Sequence, residues 1–136
     1  MTEKEKMLNG ENYNSRNPEL IAMYHKTRQL LKQYSLADTT DAQGRRNLLE
    51  QLLGFIDRGV WIEAPFFCEY GQNISIGENA FINFNCVFLD NNKITIGKNG
   101  LIAPHVQIYT ASHPLVASQR IVKQEHGSTY TTSALP

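Results

Sequence analysis

Ile74-Ser-Ile-Gly-Glu-Asn-Ala-Phe-Ile82 and Ile94-Thr-Ile-Gly-Lys-Asn-Gly-Leu-Ile102 are two versions of one phrase. Within them the aliphatic positions step by six. Ile76, Ile82 and Phe88 form one series, and Ile96, Ile102 and Ile108 form another, displaced by two residues. The displacement predicts a small insertion around Asp90 to Lys93. Self-similarity at a fixed period marks a solenoid. A six-residue step suits a triangular coil, each flat face contributing one aliphatic side chain to the interior and each coil bonding to the next at strand spacing. Gly77 and Gly97 then fall near corners, and Asn79 and Asn99 suit turns with positive φ. An antiparallel sheet with Asn-Gly turns would explain the glycines but not the repeated steps. The fold class is therefore mainly β, a parallel β-helix.

The chain ahead of this repeat has a different period. Asn17 followed by Pro18 reads as an N-cap with proline in the first helical position. Leu20, Tyr24, Thr27, Leu31 and Tyr34 follow at steps of four and three, one stripe of a helix. Ser35 to Thr40 interrupts it. Asp41 is placed to cap a second helix with an apolar face of Leu48, Leu49, Leu52, Leu53 and Ile56, and Gly54 is placed to stop it. Helical spacing ends at Val60.

The composition narrows the function classes. Thirteen basic and thirteen acidic residues cancel, so no charge excess points to nucleic acid or an anionic membrane surface. No apolar run approaches the length of a spanning helix. The charged opening, Met1 to Lys6, lacks the apolar core of a signal peptide. Cys68 and Cys86 read as reduced, buried thiols in a cytoplasmic protein.

Several stretches resemble the maltose/galactoside O-acetyltransferases. They are Lys6-Met-Leu-Asn-Gly-Glu-Asn-Tyr13, Asn17-Pro-Glu-Leu20, Pro65-Phe-Phe-Cys-Glu-Tyr-Gly71, Phe81-Ile-Asn-Phe-Asn85 and Ile102-Ala-Pro-His-Val-Gln-Ile-Tyr-Thr-Ala-Ser-His-Pro-Leu115. The likeness runs from about residue 5 to about residue 125. It implies a left-handed parallel β-helix preceded by a short helical segment, a homotrimer, and transfer of acetyl from acetyl-CoA, as co-substrate, to a mono- or disaccharide hydroxyl. On this reading residues 1–57 are the helical segment, 58–125 an incomplete β-helix with its catalytic loop, and 126–136 a divergent tail.

The resemblance also assigns candidate residues. His113, in Ser-His-Pro, is expected to be the general base: a neutral imidazole accepts the hydroxyl proton during attack and returns it to the departing thiolate. Taken alone, it reads as an exposed loop histidine. Asn83 is similar to the family residue that holds the acceptor and stabilises the oxyanion, a task a carboxamide performs by donation; otherwise it fills a turn. Asn85 reads as a structural turn residue. Glu69, Asp90 and Glu125 are carboxylates expected near the acceptor, and carboxylates accept hydrogen bonds from sugar hydroxyls; Glu125 is also placed to orient the imidazole. Asn91 stands where some relatives carry a second aspartate. Asn14 and Ser15 stand where relatives place an acceptor-binding aspartate. Each of these acceptor-side residues equally suits a solvated surface.

After Glu125 the chain contains no further six-residue unit and no basic cluster for the CoA phosphates. A C-terminally truncated member with impaired donor binding is the expectation. The alternative is a non-catalytic remnant acting through association with itself or with full-length subunits. A zinc lyase on the same solenoid would need three convergent histidines. His105, His113 and His126 are the available set besides helical His25, and no metal is expected.

Overall fold

The computed structural model describes residues 1–125 and 127–135. Three helices come first. α1 (Glu3–Leu8) opens with a capping box between Thr2 and Glu5. α2 (Pro18–Leu36) starts where expected, with the Asn17 side chain accepting from the Glu19 N–H at 3.0 Å. α3 (Ala42–Leu52) is capped by Asp41, whose carboxylate accepts from the Gly44 N–H at 2.9 Å. Leu20, Thr27, Leu31 and Tyr34 bury as their stripe predicts, joined by Leu30. Tyr24 does not; it lies at the edge of the stripe and stays exposed.

The solenoid follows as three parallel three-stranded sheets. The first contains β1 (Phe55–Ile56), β4 (Ile74–Ile76) and β7 (Ile94–Ile96). The second contains β2 (Trp61–Ile62), β5 (Phe81–Ile82) and β8 (Leu101–Ile102). The third contains β3 (Phe66–Cys68), β6 (Cys86–Leu89) and β9 (Gln107–Tyr109). Each coil visits all three sheets and returns 20 residues later, as the register Phe55 to Ser75 to Thr95 shows. This is the parallel β-helix the repeat predicts.

The coil length explains the displaced series. Three six-residue faces account for eighteen residues, and the remaining two enlarge the corner at Asp90–Lys93 and, one coil earlier, at Tyr70–Asn73. The repeat also begins earlier than Val60. Ile56, Ile62 and Cys68 form a first inward series beneath Ile76, Ile82 and Phe88. Ile56 is therefore a strand residue, and its apparent helical phase with Leu52 and Leu53 is where the two periods overlap. Burying each such isoleucine is worth about 1.5–3 kcal/mol, so the stacked rows are the main cohesive term.

Corner chemistry follows the coils. Gly59, Asn79 and Asn99 occupy equivalent positions with φ of 70°, 60° and 59°. Asn85 and His105 share the next corner at 60° and 62°. Asn79 Nδ2 donates to Asn99 Oδ1 at 3.1 Å, starting a ladder. Gly54 does not cap α3; Leu53 ends the helix, its N–H bonded to the Leu49 carbonyl. A Cβ at Gly54 would lie 2.3 Å from the Gln72 carbonyl oxygen, so close approach of two coils is what requires glycine there.

Beyond β9 the chain leaves the coil through β10 (Ala111–Ser112) and α4 (Ala117–Arg120). It then forms an antiparallel hairpin of β11 (Ile121–Gln124) and β12 (Gly127–Tyr130), and β13 (Ser133–Ala134) pairs antiparallel with β10. Tyr13 and Thr132 form an antiparallel bridge, tying the end of the described chain to the segment before α2.

Candidate active site

The third corner of the coil carries the extra residues, and a cleft opens there. At that corner the backbone turns away from sheet pairing, so its carbonyls need other partners. α2 supplies them. The Thr27 hydroxyl lies 2.7 Å from the Tyr70 carbonyl, and Arg28 Nη2 donates to the carbonyls of Cys68 and Glu69, the latter at 3.0 Å. The β10–β13 segment covers the opposite side. Between them lies a cavity of about 300 Å³ lined by Ser15, Leu20, Ile21, Tyr24, Glu69, Tyr70, Asn91, Ala111, His113 and Thr132.

Four sequence-flagged residues meet there: Ser15, Glu69, Asn91 and His113. The His113 ring is exposed, and its Nδ1 lies 2.9 Å from the Thr131 carbonyl oxygen. A carbonyl only accepts, so this bond requires the proton on Nδ1 and leaves the Nε2 lone pair free. That is the tautomer a base needs. Tyr130 flanks the imidazole at 6.1 Å between centroids.

Asn91 is buried; its Nδ2 donates to the Tyr13 hydroxyl at 2.7 Å, while Oδ1 has no partner among the described residues. An unpaired buried acceptor costs about 1–3 kcal/mol. Glu69 is half-buried. Burial pushes its carboxyl up, the Arg28 charge pulls it partly back, and Asp90 pushes it up again. Burial likewise raises Tyr13, with the Asn91 hydrogen bond opposing.

The other four flagged residues lie outside that lining; Asn14, ahead of α2, donates its backbone N–H to the Glu3 carboxylate at 2.5 Å. Asn83 occupies the second corner, between β5 and β6, where its Oδ1 accepts from the Phe84 N–H at 2.9 Å. Asp90 is wholly buried in the third corner, accepting from the N–H groups of Tyr70 at 2.9 Å and Asn73 at 3.2 Å. Burial raises its carboxyl above the ordinary range, against the pull of those N–H groups. Glu125 is exposed in the turn between β11 and β12. The orienting contact that was expected of it comes from the Thr131 carbonyl. Because a main-chain oxygen makes that contact, no residue type in the sequence could signal it. Tyr24 and Tyr70 were missed as cleft residues because their spacing reads as core.

Cys68 and Cys86 are free thiols in the core, and burial pushes Cys68 well up. No group of three or more metal-ligating side chains converges among the described residues. His126 lies outside them. Among the described residues no helix is long and apolar enough to cross a membrane.

Comparison with known proteins fits this architecture. Residues 6–56 match the family described as the maltose acetyltransferase hexapeptide capping motif. The chain is 47% identical to Nodulation protein L of Rhizobium meliloti over 119 residues, 88% of this chain and 65% of that protein. It thus spans slightly less than two thirds of that relative's length. Among solved structures, a maltose O-acetyltransferase from Clostridium difficile 630 superimposes with a TM-score of 0.86 at 39% identity, over 96% of this chain and 68% of that one. A hexapeptide-repeat acetyltransferase from Vibrio cholerae, complexed with acetyl-CoA, gives 0.77 at 36% identity with the same coverages. With its three stacked coils, its capping helices and these matches, the chain belongs to the maltose/galactoside O-acetyltransferase family of hexapeptide-repeat acyltransferases.

Proposed function

We propose that this chain serves acetyl transfer from acetyl-CoA to a sugar hydroxyl, with His113 as general base. The observation that carries the reading is the 2.9 Å contact between His113 Nδ1 and the Thr131 carbonyl oxygen, which calls for the proton on Nδ1 and leaves Nε2 to act as base. A sugar hydroxyl in the cleft gives its proton to Nε2 as its oxygen attacks the thioester carbonyl. The tetrahedral intermediate collapses, the C–S bond breaks, and the imidazolium returns the proton to the CoA thiolate. Ser15 and Glu69 supply acceptors for the remaining sugar hydroxyls. The acetyl-CoA complex of the Vibrio cholerae relative supports the choice of donor.

In this reading the protein is a cytoplasmic homotrimer, and Asn83 serves as oxyanion donor in the cleft of a neighbouring copy. The middle sheet supports the association. Trp61, Phe81 and Leu101 stand in register as an outward apolar column, with Leu101 80% exposed and Phe84 exposed at the adjoining corner. Asp90 acts as a corner staple, and Glu125 has no part in the chemistry.

Thiol release from acetyl-CoA, measured with maltose, glucose and a galactoside in turn, tests the proposal. Sugar-dependent release is expected, falling by about 10²–10⁴ in His113→Ala. An unchanged rate in that variant refutes the base assignment. If the parent chain releases no thiol with any sugar yet sediments as an oligomer, the association-only reading replaces this one.

A further inference from the structure

Arg28 is an oddly housed cation. Its guanidinium carbon lies 4.3 Å from the Tyr24 ring centroid and 4.1 Å from that of Phe67, so two aromatic faces enclose it. Nη2 donates to the Cys68 and Glu69 carbonyls, while Nε and Nη1 are buried with no partner among the described residues. No carboxylate comes within ion-pair distance of it among those residues. Such a desolvated charge acts over a longer range than a solvated one. The half-buried carboxylate it acts on is Glu69, in the wall of the cleft.

We propose that Arg28 is a positioning residue of the acceptor cleft, bracing the Cys68–Glu69 backbone and supplying the countercharge that keeps Glu69 a hydrogen-bond acceptor for the sugar. The proposal rests on the acetyl-acceptor reading of the cleft but concerns a residue outside its lining. The division of labour is physical. The aromatic faces fix the guanidinium plane and keep Nε and Nη1 from water, so its charge is only partly screened. The two carbonyl bonds fix the backbone from which Glu69 projects. The other ionisable groups around Glu69 are Asp90 from the corner after β6, Tyr70 and Cys68 beside it in the chain, Tyr13 ahead of α2, and His113 across the cleft. Arg28 is the permanent cation among them, and Asp90 opposes it. Without Arg28, burial and Asp90 together push the Glu69 carboxyl further up, and each proton it gains removes acceptor capacity from the cleft.

The test is a ¹³C-carboxyl NMR titration of Glu69 in the full chain, in the parent and in Arg28→Met, Arg28→Gln and Arg28→Lys. Neutral replacement is expected to raise the proton affinity of Glu69 about tenfold, and lysine to restore most of the parent value. Titration with maltose and methyl galactoside, followed by chemical-shift change, should show affinity about tenfold weaker in the neutral variants. An unchanged Glu69 midpoint in a folded Arg28→Gln or Arg28→Met chain overturns the proposal, as does lysine behaving like methionine. If neither neutral variant folds, the Arg28→Lys comparison decides: a parent-like Glu69 midpoint supports the countercharge, and a raised one overturns it. A parent that binds neither sugar refutes the acceptor reading, while the Glu69 midpoint still reports on Arg28.

Discussion

Gly77 and Gly97 end the matched phrases Ile-Ser-Ile-Gly and Ile-Thr-Ile-Gly, yet alanine should be costly at the first and near-neutral at the second. A Cβ at Gly77 would lie 2.6 Å from the Lys98 nitrogen and 2.8 Å from the Gly97 carbonyl carbon; at Gly97 it would meet nothing within 4 Å. The first is roughly 0.8 Å inside ordinary van der Waals contact, and its neighbours are backbone, which cannot rotate away. Relief must lift the third coil off the second. Two bonds hold it there: Gly77 N–H to the Ile96 carbonyl and Asn99 N–H to the Glu78 carbonyl, both 2.8 Å. Stretching both beyond useful length forfeits about 1–3 kcal/mol. Gly77→Ala is therefore expected to lower stability by that amount, a fall in Tm of several degrees, with Gly97→Ala within about 0.5 kcal/mol of the parent. Urea denaturation of the two variants beside the parent measures it. Equal losses at both positions would refute the argument, because they would mean that inter-coil distance is not what selects glycine.

Other outcomes follow from the buried polar groups and the core. Tyr34 donates to the Ile62 carbonyl and accepts from Arg45 Nη2 at 2.8 Å, so Tyr34→Phe should cost about 1–2 kcal/mol in denaturant. Burial pushes the Tyr34 phenol up to about 12, so its share of stability is present below pH 10 and lost as pH rises through that value; Tyr34→Phe should remove one late-titrating phenol from the ultraviolet titration. Asp90 carries a raised folded carboxyl, so the native state holds its proton longer than the unfolded chain. The parent's stability advantage over Asp90→Asn should shrink as pH climbs from the ordinary carboxylate range through the raised value, read from unfolding midpoints at successive pH. Ile82, wholly buried in the second coil, should cost about 2–5 kcal/mol as alanine, checked by the same denaturation.

The solenoid was legible because its interior has a single requirement, one aliphatic side chain every sixth residue, which a sequence displays directly. Its first coil was harder to see. Ile56 serves both the apolar phase of α3 and the β-helix row, and only the register with Ile76 decides between them. Asn79, Asn85 and Asn99 were readable as left-handed turn residues because asparagine tolerates that backbone; His105 in the same conformation was not. Of the cleft residues, His113 and Glu69 were flagged within family-like motifs, and Asn91 and Ser15 by position, where relatives carry aspartate. Asp90 was read as an acceptor-side or solvated carboxylate because nothing in its neighbours reveals that the backbone N–H groups of Tyr70, Gly71 and Asn73 converge on it. The role of Thr131 belongs to its carbonyl, and main-chain groups are the same in every residue.

That carbonyl has a consequence for how the protein fails. Thr131 lies between β12 and β13, and the segment is fastened by the pairing of Ser133 and Ala134 to β10 and by the Tyr13–Thr132 bridge. This patch is far smaller than the coil interior, so it opens at lower free energy than the solenoid unfolds. Each opening releases Nδ1 and lets the imidazole change tautomer while the isoleucine rows stay intact. Warming should therefore silence the base first, leaving a chain that still looks folded by far-ultraviolet circular dichroism.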